Sequence, residues 1–154
     1  CQQAAKALGI ALLATLSPEA FQARRSILSP VLAKRAGHIV EEHARVGKVV
    51  AALADGNISE VGQLLTASHR SSQHLFENST PELDFLVDQL TALPGVLGAR
   101  LTGGGFGGAV LALTRSDFGD TQARQVADAY AAKFGRAPEI LPLQIADGAR
   151  LLTA

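Results

Sequence analysis

The sequence contains no methionine and no tryptophan, one tyrosine and a single cysteine, Cys1. One cysteine forms no internal disulfide, and no zinc-ligand spacing accompanies it. Neither charge sign is in excess, with 14 Lys+Arg against 14 Asp+Glu. Nucleic-acid binding would leave a basic surplus, so the composition speaks against that class. Long apolar runs are missing too. The longest, Leu8 to Leu16, is about half of what a bilayer requires. Lys6 and Glu19 bracket this stretch, and no signal-peptide pattern opens the chain. The sequons Asn57-Ile58-Ser59 and Asn78-Ser79-Thr80 are unremarkable by chance, and the expected setting is a reducing cytoplasm. Starting at Cys1 with no Met, the chain reads as a fragment or a processed product.

What is present is enough for one globular domain. The chain has 154 residues, 47% hydrophobic and 18% charged, which excludes a disordered chain and allows a sizeable core. The first thirty residues read as helix, with Ala4, Ala5, Leu8, Leu12 and Leu16 in step. Ser17-Pro18-Glu19 caps a second helix that runs to about Leu28. Residues 31–54 predict a long amphipathic helix whose apolar stripe is Leu32, Ala36, Ile39, His43, Val46, Val50 and Leu53. His43 on that stripe is expected at the edge of the core. Asp55-Gly56-Asn57 ends the helix, and Asn57 with Glu60 resembles a capping box for the next. In that helix Val61, Leu65, Ser68, Ser72 and Leu75 share a face, so the two helices predict an antiparallel hairpin. Thr80-Pro81 opens a further helix with Leu83, Leu86, Val87 and Leu90 inward, and Leu93-Pro94-Gly95 stops it.

After Gly95 the period changes. Residues 96–102 and 109–114 predict strands, 120–134 a helix, and 140–146 a last strand placed at a sheet edge by Pro142. Helices followed by strand–loop–strand–helix–strand indicate an α+β fold.

The loop between the two strands is Gly103-Gly104-Gly105-Phe106-Gly107-Gly108. Ordering so many glycines costs entropy. In return they allow positive φ, closely spaced N–H groups and unobstructed approach, the needs of a phosphate cradle or anion nest. A hairpin turn needs one or two glycines, so the run predicts close backbone approach to a ligand or to another part of the fold. Gly103, Gly105 and Gly108 fit G-x-G-x-x-G, but a strand follows, where a dinucleotide site needs a helix. The protein-kinase reading fails because no V-A-I-K lysine follows, and the Walker reading because no Lys does. Ser68, His69 and Ser71 do not share the face a hydrolase needs and are expected at a helix surface or interface. Arg100 is expected in a structural pairing, with a carboxylate or a phosphate as partner. Cys1 has no activating neighbour.

Residues 99–109, Ala-Arg-Leu-Thr-Gly-Gly-Gly-Phe-Gly-Gly-Ala, resemble the third signature motif of the GHMP kinases, and most closely that of galactokinases. Four other segments and a closing one follow in the same order: Cys1–Gly9, Ala36–Val40, Leu64–Ser71, Ser79–Asp84 and Ala146–Arg150. The resemblance covers nearly the whole chain. It implies that residues 1–154 are a GHMP kinase C-terminal domain with a ferredoxin-like sheet lacking its first strand, a helical hairpin and extra helices. It also implies ATP-dependent, magnesium-requiring phosphorylation of galactose at the anomeric hydroxyl. Thr102, Gly103, Gly104, Gly105, Phe106, Gly107 and Gly108 would wall the active site and face ATP. The catalytic aspartate, its arginine, the G-E-H-T-D-Y motif and the serine-rich ATP loop belong to the N-terminal domain of such enzymes, and none occurs here. The resemblance therefore implies no catalytic residue in this chain, ATP and magnesium held mainly by the N-terminal domain, and no activity of the chain alone. The alternative is a non-catalytic sugar-sensing or protein-interaction module of the same fold. Gly37, Gln73-His74-Leu75, Ala109 and Pro142 depart from the family pattern.

Overall fold

The computed structural model describes residues 1–148 and Leu151. Among the described residues, six α-helices and a two-stranded sheet follow in order: α1 (Gln2–Ala7), α2 (Pro18–Arg24), α3 (Pro30–Ala54), α4 (Ile58–Ser71), α5 (Pro81–Thr91), β1 (Val96–Thr102), β2 (Ala109–Thr114) and α6 (Asp120–Phe134). Segregated helices and sheet make this an α+β fold. Among the described residues no helix is long and apolar enough to cross a membrane.

Local chemistry sets most helix starts. The Ser17 hydroxyl accepts the Ala20 N–H, Asn57 Oδ1 accepts the Glu60 N–H, and Thr80 Oγ1 accepts the Leu83 N–H. Pro18, Pro30 and Pro81 occupy first-turn positions, where a missing N–H costs nothing. At Gly56, φ is +68°, and the chain reverses there between α3 and α4.

Two apolar clusters hold the fold. In the first, Ala4, Ala5 and Leu8 of the amino-terminal segment meet Leu13, Phe21, Leu28 and the Ala33, Ala36 and Val40 face of α3. In the second, α5 lies across β1 and against α6, burying Leu83, Val87, Ala99, Leu101, Val126 and Tyr130. Phe85, Tyr130 and Phe134 stack at its rim, with Lys133 Nζ 4.4 Å from the Phe85 ring centre. β1 and β2 are antiparallel, with Thr102 opposite Ala109 and Arg100 opposite Leu111.

Four expectations are corrected. The first helix does not run on to Leu16: α1 ends at Ala7, Gly9 takes φ +66°, and Leu12 is exposed. The predicted stripe of α3 holds only in its first half, where Ala36 is buried and Leu32 and Ile39 pack against the core. Ala33, Ala36, Gly37, His38, Val40 and Ala52 are buried, whereas His43, Val46, Val50 and Leu53 face outward. α3 packs against α1 and α2 and also against α4. Residues 72–75 leave the α-helix: a π turn, Ser72–Phe76, follows α4. Residues 140–146 form no strand. They are exposed and irregular: Pro142 has no N–H, and no strand among the described residues pairs with them. Of the closing motif, Ala149 and Arg150 lie outside the described residues.

Candidate functional site

The glycine loop leaves β1 at Thr102 and enters β2 at Ala109. Gly103, Gly105, Gly107 and Gly108 have φ of +77°, +83°, +116° and +90°. Phe106, the non-glycine residue of the run, is also left-handed, at φ +59°, and its ring is 78% exposed. A bulky residue in this region is strained, and the surrounding structure must hold it there.

Gly105 has an internal reason to be glycine. A Cβ there would run into the carbonyl oxygen of Asn78 and stand 2.8 Å from Asn78 Nδ2. Gly104 has none. Its φ lies outside the left-handed region, and a Cβ on it would meet nothing within 4 Å. Glycine at 104 therefore serves neither the backbone nor the packing of this chain, and it leaves open space over an exposed peptide. The structure thus brings Thr102 and Gly103 to Gly108 together as one surface-facing turn, open on the side away from Asn78.

Beneath the loop, β1 is anchored by α4. Thr66 Oγ1 accepts the Ala99 N–H at 3.2 Å, and His69 Nδ1 accepts the Leu101 N–H at 3.3 Å. His69 Nε2, which must then carry the proton, lies 3.1 Å from Asp84 Oδ1. Ser79 Oγ donates to the same oxygen at 2.6 Å. His69 is fully buried, at an interface between α4, β1 and α5 and not at a free helix surface. Burial also lowers its pKa, outweighing Asp84, which acts to raise it. Ser79 bonds the aspartate and not the imidazole, so the trio is no hydrolase triad; it ties α4, α5 and β1 together. Asp84 lies on another helix, and the sequence alone does not align it with His69.

A second polar group lies between α3 and α4. His38 Nδ1 is 2.9 Å from Ser71 Oγ, and its ring centre is 4.7 Å from that of Phe76. Burial, with Arg45 next, lowers its pKa to about 4. Ser68 Oγ donates to Glu42 at 2.5 Å, and Glu42 pairs with Arg45. Arg100 is half-buried; its Nε donates to the Leu101 carbonyl at 2.9 Å, and burial lowers its pKa. It pairs with no carboxylate among the described residues. Cys1 is exposed. Among the described residues no group of three or more His, Cys, Asp and Glu side chains is disposed to hold a metal ion. What the loop offers is backbone and open space.

Residues 49–136 match the family model described as GHMP kinases C terminal. The chain is 42% identical over 148 residues to the galactokinase of Enterococcus faecalis, covering 96% of this chain and 38% of that protein. It is 44% identical over 128 residues to the galactokinase of Mycobacterium tuberculosis strain H37Rv, covering 83% of this chain and 34% of that one. The crystal structure of Lactococcus lactis galactokinase complexed with galactose superposes with a TM-score of 0.85 at 35% identity, over 88% of this chain and 36% of that one. The chain spans little more than a third of the length of these relatives. It belongs to the GHMP kinase family, as a C-terminal domain of the galactokinase-like kind.

Proposed function

We propose that residues 1–154 act as the C-terminal domain of a galactokinase, in which Thr102 and the loop Gly103–Gly108 wall the site where ATP phosphorylates galactose at its anomeric hydroxyl. The observation that carries this reading is Gly104, a glycine with no conformational or packing reason to be one, in an exposed turn. Space kept open over a peptide suits a phosphate or a sugar that must come within hydrogen-bonding distance of the backbone. Phosphoryl transfer depends on positioning and on neutralising charge, and exposed peptide N–H groups supply part of both.

The loop holds no general base and no carboxylate for magnesium. In this proposal the N-terminal domain of the enzyme, not encoded in these residues, supplies the catalytic groups and most contacts to ATP and magnesium, in the cytoplasm. The test has two arms. The purified chain with galactose and ATP should release no galactose 1-phosphate. A chimera, with this chain replacing the 38% of the E. faecalis galactokinase that it matches, should form it. Turnover by the chain alone, or a chimera that melts like the parent yet is inactive, would overturn the reading.

A further inference from the structure

Among the described residues, Asn78 makes the hydrogen bonds that tie the glycine loop to the rest of the molecule outside its strands. Its backbone carbonyl accepts the Phe106 N–H at 2.7 Å. Its side-chain Nδ2 donates to the Gly104 carbonyl at 3.1 Å. The absent side chain of Gly105 makes room for both bonds. Asn78 thus grips three consecutive loop residues from below, and the opposite side stays open.

Asn78 is itself held from two directions. Its N–H, at 3.3 Å, and that of Glu77, at 2.7 Å, both donate to the Ser72 carbonyl, at the start of the π turn. Glu77 is left-handed, at φ +59°, and its carboxylate pairs with Lys34 at 3.0 Å and Arg35 at 2.5 Å, both on α3. Arg35 also donates to the Leu75 carbonyl at 2.5 Å. A continuous set of contacts therefore runs from α3 through Glu77 and Asn78 to the loop.

Asn78 is 93% buried, and its Oδ1 has no hydrogen-bond partner among the described residues. A buried acceptor left unmade costs more than an average hydrogen bond contributes. Selection for stability alone would not favour an amide here, whereas an amide donor aimed at the Gly104 carbonyl explains it. We infer that Asn78 is a positioning residue, whose side chain holds the Gly104–Phe106 backbone in the shape that meets the ligand. This rests on the reading of the loop as an active-site wall.

The first measurement is amide hydrogen exchange on the 154-residue chain. In N78A and in N78D, which keeps the shape but loses the donor, the Phe106 amide should exchange roughly 2- to 12-fold faster than in wild type, the equivalent of one ordinary hydrogen bond. The ladder amides of Arg100 and Leu111 should not change. The second is kinetics in the chimera described above, where N78D should lower kcat by a similar factor and leave the galactose KM within about twofold. Unchanged Phe106 exchange in both folded variants would overturn the inference. So would an active chimera whose kcat ignores N78D. A wild-type chimera without activity would instead sink the reading of the loop as an active-site wall, and the exchange result would still decide whether Asn78 pins the loop.

Discussion

Gly62 of α4 and Gly98 of β1 are in backbone contact: a Cβ on Gly98 would collide with the Gly62 carbonyl, and one on Gly62 with the Leu97 backbone. Neither collision can be relieved by turning a side chain. This closeness brings Thr66 and His69 within reach of the Ala99 and Leu101 N–H groups, and so seats the strand that delivers the loop.

Gly98→Ala should therefore cost about 2–4 kcal/mol, at the upper end for overpacking, because helix and strand must part. Urea unfolding of the variant checks this. A loss below about 1 kcal/mol would mean that α4 and β1 slide freely.

The adjacent glycines of the loop should answer oppositely to the same change. Gly105→Ala puts a methyl group against Asn78 at φ +83° and should destabilise by about 2–3 kcal/mol. Gly104→Ala meets nothing within 4 Å, and it should leave stability unchanged or raise it by about 0.5–1 kcal/mol through the unfolded state. In the active chimera, however, Gly104→Ala should reduce turnover at least tenfold. A stable and fully active Gly104→Ala enzyme would remove the main support for the loop as an active-site wall.

Features of this molecule that rest on short-range chemistry are legible in its sequence. Ser17, Asn57 and Thr80 cap the helices they precede, and β1, β2 and α6 lie where alternation and period place them. Periodicity finds an apolar face but not what will cover it. Leu32, Ala36 and Ile39 meet the core as the spacing predicts, but Val46, Val50 and Leu53 continue the same spacing into solvent, while Ala33, Gly37 and Ala52 are buried though too small to stand out in such a pattern. The loop is visible as a run of glycines. Its anchors are not, because Asn78 meets the loop and His69 meets β1 only across the tertiary fold, with Asp84 behind His69, and Asn78 reads in the sequence as no more than a chance sequon.

The segment after α6 should be dispensable for stability. Leu143 and Ile145 are 74% and 97% exposed, and residues 137–148 make no backbone hydrogen bond among the described residues. Truncation after Arg136 should change the unfolding free energy by less than about 0.5 kcal/mol. A larger loss would show that the segment packs on the domain in solution.

Acid should find His38 before the carboxylates. Its imidazole is 8% exposed, bonded to Ser71 and flanked by Arg45, Arg100 and Arg35, so it stays neutral in the folded chain down to a pKa of about 4. In the unfolded chain it takes up a proton near its ordinary value of 6.5. Between those two values the unfolded state binds the extra proton, so stability is full above pH 6.5 and falls as the pH drops towards 4. The whole effect is on the order of 3 kcal/mol, from 1.36 kcal/mol per unit. His38→Asn keeps a partner for Ser71 but has nothing to titrate. Its unfolding free energy, measured from pH 7 to 4.5, should fall less steeply than that of wild type, with the two curves converging as acid is added. Parallel curves would mean that His38 is protonated in the native state at an ordinary pH and that its contact with Ser71 is not the buried, neutral one described here.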